Sequence, residues 1–380
     1  MELSEYRARI DAIDEEIVRL FAERMEAAAG IAAYKREHNL PVLDQRRERE
    51  KLLQIAEKTP EGLRDYAVSL YSLIFELSRS SQNRLLGTRS ELAEQIETAL
   101  RETPPLFPGH AVVACQGVEG SYQQLACDRL FKLPNIFYFA SFGAVFSAIE
   151  KGLCRYGVIP VENSTAGSVN AVYDLMMKHN FRIVRSVRLK IDHNLLVKPG
   201  TGWEDVKEIY SHEQAISQCA AFLQQHPGIR VVPCENTAVA AKMVADSSRR
   251  DIAALSSREC MRLYHLEALA QSVQDQGNNH TRFICISKEL EIYPGADRTS
   301  LMLTLPHQPG SLYKLLSRFY ALGININKLE SRPMPERNFE FMFYFDLETS
   351  VYSPEFRQLM AELPSVCDSF SYLGSYSEVI

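Results

Sequence analysis

The residues of this chain that could do chemistry begin with a cation where an apolar side chain is expected. Leu3, Ile10, Ile17, Arg24 and Ile31 repeat every seven residues, and so do Tyr6, Ile13, Leu20, Ala27 and Tyr34. Two such registers describe a helix whose apolar seam faces a partner. Arg24 breaks that seam, and a buried guanidinium is costly unless an anion answers it. Lys35 lies eleven residues on, close to the same helix face at roughly 16 Å of rise. Asp44, Arg47, Glu48 and Lys51 share one stripe of a second helix, and Ser78 and Gln82 pair on a third. For Lys51 alone a salt-bridged surface is sufficient. For Arg24 it is not, because the heptad places it inside.

A second set of candidates sits in loops. Gln116-Gly117-Val118-Glu119-Gly120-Ser121-Tyr122, Pro160 to Ser168, and Asn278-Asn279-His280-Thr281-Arg282-Phe283 are small, polar and set between apolar runs. Glycine- and hydroxyl-rich loops that follow strands and open into helices bind anions through backbone N–H groups. Each loop by itself is equally ordinary turn chemistry. His212, at a helix start, reads as a capping or surface histidine with no catalytic role.

The elements that must position these residues differ along the chain. The 380 residues suffice for two or three domains. In the first hundred residues 34 are charged, against 56 of the remaining 280. That first stretch holds three Gly and two Pro, and its spacing predicts three helices: one of some ten turns before Pro41, one over about 43–57, and one from Leu63 toward Gly87. A helix so long, with too little partner in its own chain, predicts a dimer of interlocked helices. Short apolar runs at 111–115, 156–161, 182–187, 194–197, 230–233, 252–255 and 282–286 alternate with helical stretches and predict two α/β lobes. After Pro294-Gly295 the pattern reads strand 298–305, helix 310–322, strand 325–333, strand 339–347, helix 353–362, strand 366–375, a βαββαβ order.

Composition sets the outer limits. A net charge of -6 supplies no global field for nucleic acid or an anionic membrane, so an anionic ligand must be caught locally. Eight scattered cysteines without a C-x-x-C pair exclude a zinc ribbon and argue against a disulfide scaffold. With an acidic, charged N-terminus and no run of eighteen apolar residues, a reducing cytoplasm is the expected location.

On Arg7, Arg24, Lys35, Asp44, Arg47, Glu48, Ser78 and Gln82, residues 3–86 resemble the all-helical chorismate mutases. The resemblance implies a domain over 1–88 that rearranges chorismate to prephenate without nucleophile, metal or cofactor. Arginines would hold the two carboxylates, Lys35 and Gln82 would donate to the ether oxygen as its bond breaks, and Glu48 would fix the ring hydroxyl. Arg7 and Arg24 are seventeen residues apart, about 26 Å of rise, so Arg7 would serve the neighbouring protomer's site.

The three loops, with Tyr210 to Cys219, resemble prephenate dehydratases over about 110–287. Glu162-Asn163-Ser164-Thr165 and Thr281-Arg282-Phe283 are the most specific parts. The resemblance implies a two-lobed, periplasmic-binding-protein-like domain that turns prephenate into phenylpyruvate, CO2 and water. Thr281 would be the positioned donor to the departing oxygen. Ser121, Glu162, Asn163, Ser164, Thr165, Ser211, Gln218, Arg282 and Phe283 would hold substrate or shape the cleft. Arg282 either meets a carboxylate, if it points inward, or pairs with Glu162. The family's first loop usually carries a proline and a final hydroxyl residue where Val118 and Gln123 stand here.

Residues 297–375 resemble ACT domains, ferredoxin-like amino-acid sensors, on Gly310-Ser311-Leu312 and Glu330-Ser331-Arg332-Pro333. The implied effector is L-phenylalanine, and a purely structural dimerisation domain is the alternative. Taken together, the chain resembles the bifunctional chorismate mutase/prephenate dehydratases (P-proteins) with feedback by phenylalanine. An arogenate dehydratase and a non-catalytic amino-acid sensor are the competing readings.

Overall fold

The computed structural model describes residues 2–38, 40–86, 91–334 and 340–380. Its contacts divide the chain into two compact units, Met1–Glu94 with Leu303–Asn325 and Tyr352–Phe370, and Gln95–Met302 with Ile326–Val351 and Ser371–Ile380.

In the first unit α1 (Leu3–Glu37), α2 (Gln45–Lys58) and α3 (Arg64–Leu86) follow the expected order. Asp44 opens α2 by accepting from the Arg47 N–H at 2.9 Å, which satisfies a donor the helix itself cannot. Pro41 and Pro60 stand in the two connections, where a missing N–H does no harm. Buried Ala28 and Ala32 let α1 pack closely against α3. The apolar seam of α1 stays bare: Leu3, Ile10, Ile17 and Tyr34 are 66%, 56%, 56% and 57% exposed. The expected boundary at residue 88 lies outside the described residues. Beyond it comes an unanticipated helix, α4 (Glu91–Glu102), whose buried Ile96 and Ala99 recur at helical spacing.

The second unit is built on two mixed sheets. The first begins with β1 (His110–Gln116), β2 (Leu133–Phe139), β3 (Tyr156–Asn163), β4 (Gly167–Ser168) and β5 (Arg182–Lys190), connected through α5 (Tyr122–Leu130), α6 (Phe142–Glu150) and α7 (Asn170–Met176). The chain then crosses through residues 191–193 into β6 (Asn194–Val197), β7 (Glu208–Ser211), β8 (Arg230–Pro233), β9 (Ile252–Ser256) and β10 (Glu267–Ala270), in the order β10-β6-β9-β7-β8. That sheet carries α8 (Glu213–Gln218), α9 (Ala220–Gln224), α10 (Thr237–Asp246) and α11 (Arg258–Leu263). Residues 271–279 lead back to β11 (His280–Ser287), which inserts antiparallel between β3 and β5. Separate apolar cores fill the two lobes, Ile159, Val161 and Ile284 in one and Ala241, Val244 and Ala254 in the other. Every apolar run read from the sequence is a strand. Outside those runs β2 carries Pro134, which weakens a strand signal, and β7 and β10 open on Glu208 and Glu267, so neither is a continuous apolar run.

The C-terminal segment runs β12 (Arg298–Thr304), α12 (Ser311–Ala321), β13 (Asn325–Pro333), β14 (Phe341–Glu348), α13 (Pro354–Glu362) and β15 (Ser369–Tyr376). Its four strands form a sheet ordered β13-β14-β12-β15. By contacts the strands fall chiefly in the second unit and the helices in the first. A last strand, β16 (Glu378–Val379), adds to β5 at the edge of the first sheet. Residue 339, the expected start of the third strand here, lies outside the described residues. Among the described residues no helix is long and apolar enough to cross a membrane.

Candidate functional site

Two adjacent rungs of the β3/β11 ladder organise the cleft of the second unit. Thr281 pairs with Asn163, and Arg282 pairs with Glu162. Side chains alternate across a sheet, so one pair faces the cleft and the other faces away. Thr281, Asn163 and Phe283 line a cavity of about 570 Å³ together with Gln116, Gly117, Ser121, His193 and Gln218.

The hydrogen bonds there fix one another's direction. Asn163 Oδ1 accepts from the backbone N–H groups of Thr165 and Ala166 at 3.1 and 2.9 Å, so its amide nitrogen must face the other way. Asn163 Nδ2 donates to Asn279 Oδ1 at 2.8 Å and to Thr281 Oγ1 at 2.9 Å. Asn279 Nδ2 then donates to Gln218 Oε1 at 3.0 Å, while Gln218 Nε2 donates to Thr165 Oγ1 at 2.8 Å. Gln218 Oε1 is also 3.0 Å from His193 Nε2, which therefore carries the proton. Burial pushes the His193 pKa down, consistent with a neutral ring. Thr281 Oγ1 accepts from Asn163, and its own hydroxyl proton has no acceptor among the described residues.

Arg and Lys are absent from the described lining of this cavity. The first turns of α5, α8 and α10 contribute Tyr122, Gln214 and Thr237 to it, so the positive ends of helix dipoles lie at its wall. Arg282, expected as a carboxylate partner if it pointed inward, instead faces the opposite side of β11. It is buried and bonded to Asp346, with Glu162 3.6 Å away. Burial works against its charge, and Asp346, Tyr376, Tyr344 and Glu162 more than offset that. Glu162 likewise turns from the cleft, toward Lys328 at 3.4 Å. The expectation that these two hold substrate in the cleft is therefore corrected by strand alternation. Ser164 ties loops together, donating to Asn278 O at 2.8 Å and accepting from His280 N at 2.9 Å. Fully buried Ser211 donates to Leu255 O at 2.8 Å. Both are taken up by structure instead of facing the cavity.

The altered first loop has a local explanation. Gln123 is buried and donates to Val158 O, and Val118 packs on the core of the second lobe. Gly117 and Gly120 have φ of +103° and +86°, and a Cβ on Gly120 would come within 2.8 Å of Cys260 Sγ, so glycine is required there. Ser121 caps α5, and His212 caps α8 by accepting from Gln214 N at 3.2 Å.

On the helices Arg24 turns inward. Its Nη1 donates to Ser78 Oγ, and its guanidinium lies 5.5 Å from the centre of the Phe75 ring. Burial lowers its pKa, against the pull of Tyr71 and Glu48. Gln82 is buried, and its Oε1 has no partner among the described residues. Lys35 Nζ donates to Val42 O at 2.5 Å. Arg47 and Arg7 are exposed, and Arg7 is about 26 Å of helical rise from Arg24.

Comparison with known proteins bears directly on these two regions. A family model for chorismate mutase type II matches residues 6–83, and one for prephenate dehydratase matches residues 113–291. The bifunctional chorismate mutase/prephenate dehydratase of Aquifex aeolicus (strain VF5) is 31% identical, with 100% of this chain and 99% of that protein covered. The enzyme of the same description from Escherichia coli (strain K12) is 31% identical over 97% of this chain and 95% of its own. This chain belongs to the bifunctional chorismate mutase/prephenate dehydratases.

As a member of that family it is an enzyme with both activities, in phenylalanine biosynthesis. Its dehydratase part also resembles the arogenate dehydratase/prephenate dehydratase 1 of Arabidopsis thaliana, 34% identical over 70% of this chain and 71% of that protein. Among solved structures, a prephenate dehydratase from Arthrobacter aurescens in complex with L-Phe matches with a TM-score of 0.63 and 26% identity, covering 70% of this chain and 90% of its own. A protein described as a quorum quenching acylase, GqqA, matches with a TM-score of 0.64 and 29% identity over 70% of this chain and 98% of its own.

The sensor motifs occupy separate places. Gly310, at φ +85°, precedes α12, which begins with Ser311 and Leu312. On β13 Glu330 accepts from Ser168, and Arg332 grips Asp174 at 2.9 and 3.0 Å, while Ser331 and Pro333 are exposed. Asn279, His193 and Arg79 escaped the sequence reading. Asn279 stood inside a quoted loop, whereas a lone His193 between Asp192 and Asn194 gave no signal.

Proposed function

We propose that the two activities reside in two separate sites of this chain. In the cleft, Thr281 donates its hydroxyl proton toward the ring oxygen of prephenate. As the C–O bond breaks, the electron pair of the C–CO2 bond flows into the ring, CO2 departs, and the hydroxide leaves as water by taking a proton that Thr281 relays from solvent water, Thr281 being left protonated. Aromatisation drives the step, so the protein need only stabilise the leaving oxygen. The observation that carries this reading is Thr281's own geometry: Asn163 commits its oxygen and leaves its proton for a ligand. Helix N-termini and backbone N–H groups, in place of Arg282, would meet the substrate carboxylates.

On the helices Arg24 and Arg47 would hold chorismate, Lys35 and Gln82 would stabilise its ether oxygen, and Glu48, with Asp44 and Ser78 beside it, would order the ring. The bare seam of α1 supports a homodimer in which Arg7 completes the partner's site. Residues 297–375 would form an ACT domain responding to L-phenylalanine, with Gly310 to Leu312 and Glu330 to Pro333 as its motifs; the L-Phe complex of the Arthrobacter relative supports this. The enzyme would work in the cytoplasm.

Purified protein given chorismate should release prephenate and then phenylpyruvate, with the second step slowed by L-phenylalanine. Absence of phenylpyruvate would overturn the reading. The Arabidopsis relative's name makes arogenate the substrate to compete against prephenate, and the ratio of kcat/KM values decides between them.

A further inference from the structure

Arg79 stands beside Ser78 on α3 but looks toward α2 instead of α1. Its side chain is 13% exposed and forked between two acids: Nη1 to Glu48 Oε1, Nη2 to Glu76 Oε1. Glu76 Oε2 accepts from Arg318 Nη2 of α12 at 2.6 Å. Arg318 Nη1 donates to Glu362 Oε2 of α13 at 2.8 Å, and Glu362 Oε1 accepts from Ser80 Oγ and from Gln358 Nε2. The charges alternate without a break from Glu48 to Glu362, and each guanidinium bridges two carboxylates through separate nitrogens, which a lysine cannot do. Arg318 and Glu362 are 6% and 2% exposed, where an unmatched charge would be costly. The series ends at Glu48, whose Oε2 has no partner among the described residues.

We propose that Arg79 is a positioning residue for the chorismate rearrangement: it holds Glu48 by one oxygen so that the other can accept the ring hydroxyl, and Arg318 and Glu362 of the C-terminal segment hold Arg79 in turn. This rests on the reading that Glu48 meets the ring hydroxyl. A free glutamate on a helix surface samples several rotamers, and pinning one oxygen removes most of them before substrate arrives. The helices of the C-terminal segment thereby contribute to the mutase site without touching the substrate.

The test is a mutant cycle on the full-length protein, with prephenate turnover by the same chains as the control for folding. Arg79→Met should lower mutase kcat/KM about tenfold, as expected for one charge-assisted hydrogen bond, and leave prephenate turnover at the parent value. Arg79→Lys, which keeps the charge but not the fork, should lose severalfold and supplies the answer if Arg79→Met does not fold. Arg318→Met should give a smaller loss. In a Glu48→Gln background all these losses should vanish, because each acts through Glu48. Losses that multiply with Glu48→Gln, or a parent rate in Arg79→Lys, overturn the inference alone. A parent rate in Glu48→Gln itself overturns the site reading and the inference with it.

Discussion

In the cleft Thr281, Asn163, Thr165, Asn279 and Gln218 are bonded to one another within one chain, whereas along α1 the apolar seam lies open and Arg7 stands far from Arg24. Two adjacent rungs of a β-ladder bring distant sequence segments together at fixed spacing within one chain. A helix 35 residues long spreads its functional groups, Arg7 to Lys35, over about 42 Å. No single ligand reaches both ends, which is why the proposed homodimer has Arg7 serve the partner's site. The contrast extends to charge. The cleft is lined by the first turns of helices and by neutral amides, while on the helices Arg24 and Arg79 are engaged with side chains.

The comparison can be broken in several ways. Thr281→Ala should lower dehydratase kcat by about 10²–10³, the usual cost of one preorganised donor, with mutase activity untouched; steady-state assays of both reactions measure it. An aspartate at the centre of the seam, Ile17→Asp, should weaken self-association by roughly a hundredfold through the cost of burying a charge. Mutase activity should fall with it while prephenate turnover persists, which sedimentation and paired assays would show. A dehydratase that fails along with the mutase would mean that the cleft is not complete in one chain. Gln218→Ala, which leaves Asn279 and His193 without their acceptor, should lower dehydratase kcat/KM by about tenfold.

The smallest effect concerns pH. Burial raises the Glu76 carboxyl pKa, but Arg79 and Arg318 more than offset it and hold the group below its ordinary value. Its stabilising contribution is therefore full above the ordinary carboxylate range and is lost as pH falls through the depressed folded value. Arg318→Met removes one of those cations, so the acid unfolding transition, followed by helical circular dichroism, should move to higher pH. An unchanged transition would show that the ion-pair series carries no linkage.

Much of this contrast was legible in residue patterns. The heptads of α1 marked the open seam, Arg24 marked the interior cation, and the loop around Thr281 marked the cleft. Periodicity also held information that motif reading ignored. Thr281 and Arg282 are neighbours on one strand, so they cannot both face one cavity, and the same holds for Asn163 and Glu162. Arg79 was invisible because its importance comes from Arg318 and Glu362, more than two hundred residues away in the chain. The helix α4 was readable from Leu92, Ile96 and Ala99, but a boundary was expected there. Val118 and Gln123 depart from the family's first loop, and packing on the second lobe's core and a bond to Val158 O account for them.

The central claim is that the two activities occupy separate sites, each able to act without the other. The most direct measurement follows product from chorismate with Arg24→Ala protein, Thr281→Ala protein, and an equal mixture of the two. The account predicts that the first leaves chorismate unconsumed yet turns over added prephenate at the parent rate, the second stops at prephenate, and the mixture again makes phenylpyruvate. Phenylpyruvate formed from chorismate at the parent rate by either variant alone, or a mixture that stays silent, would contradict it.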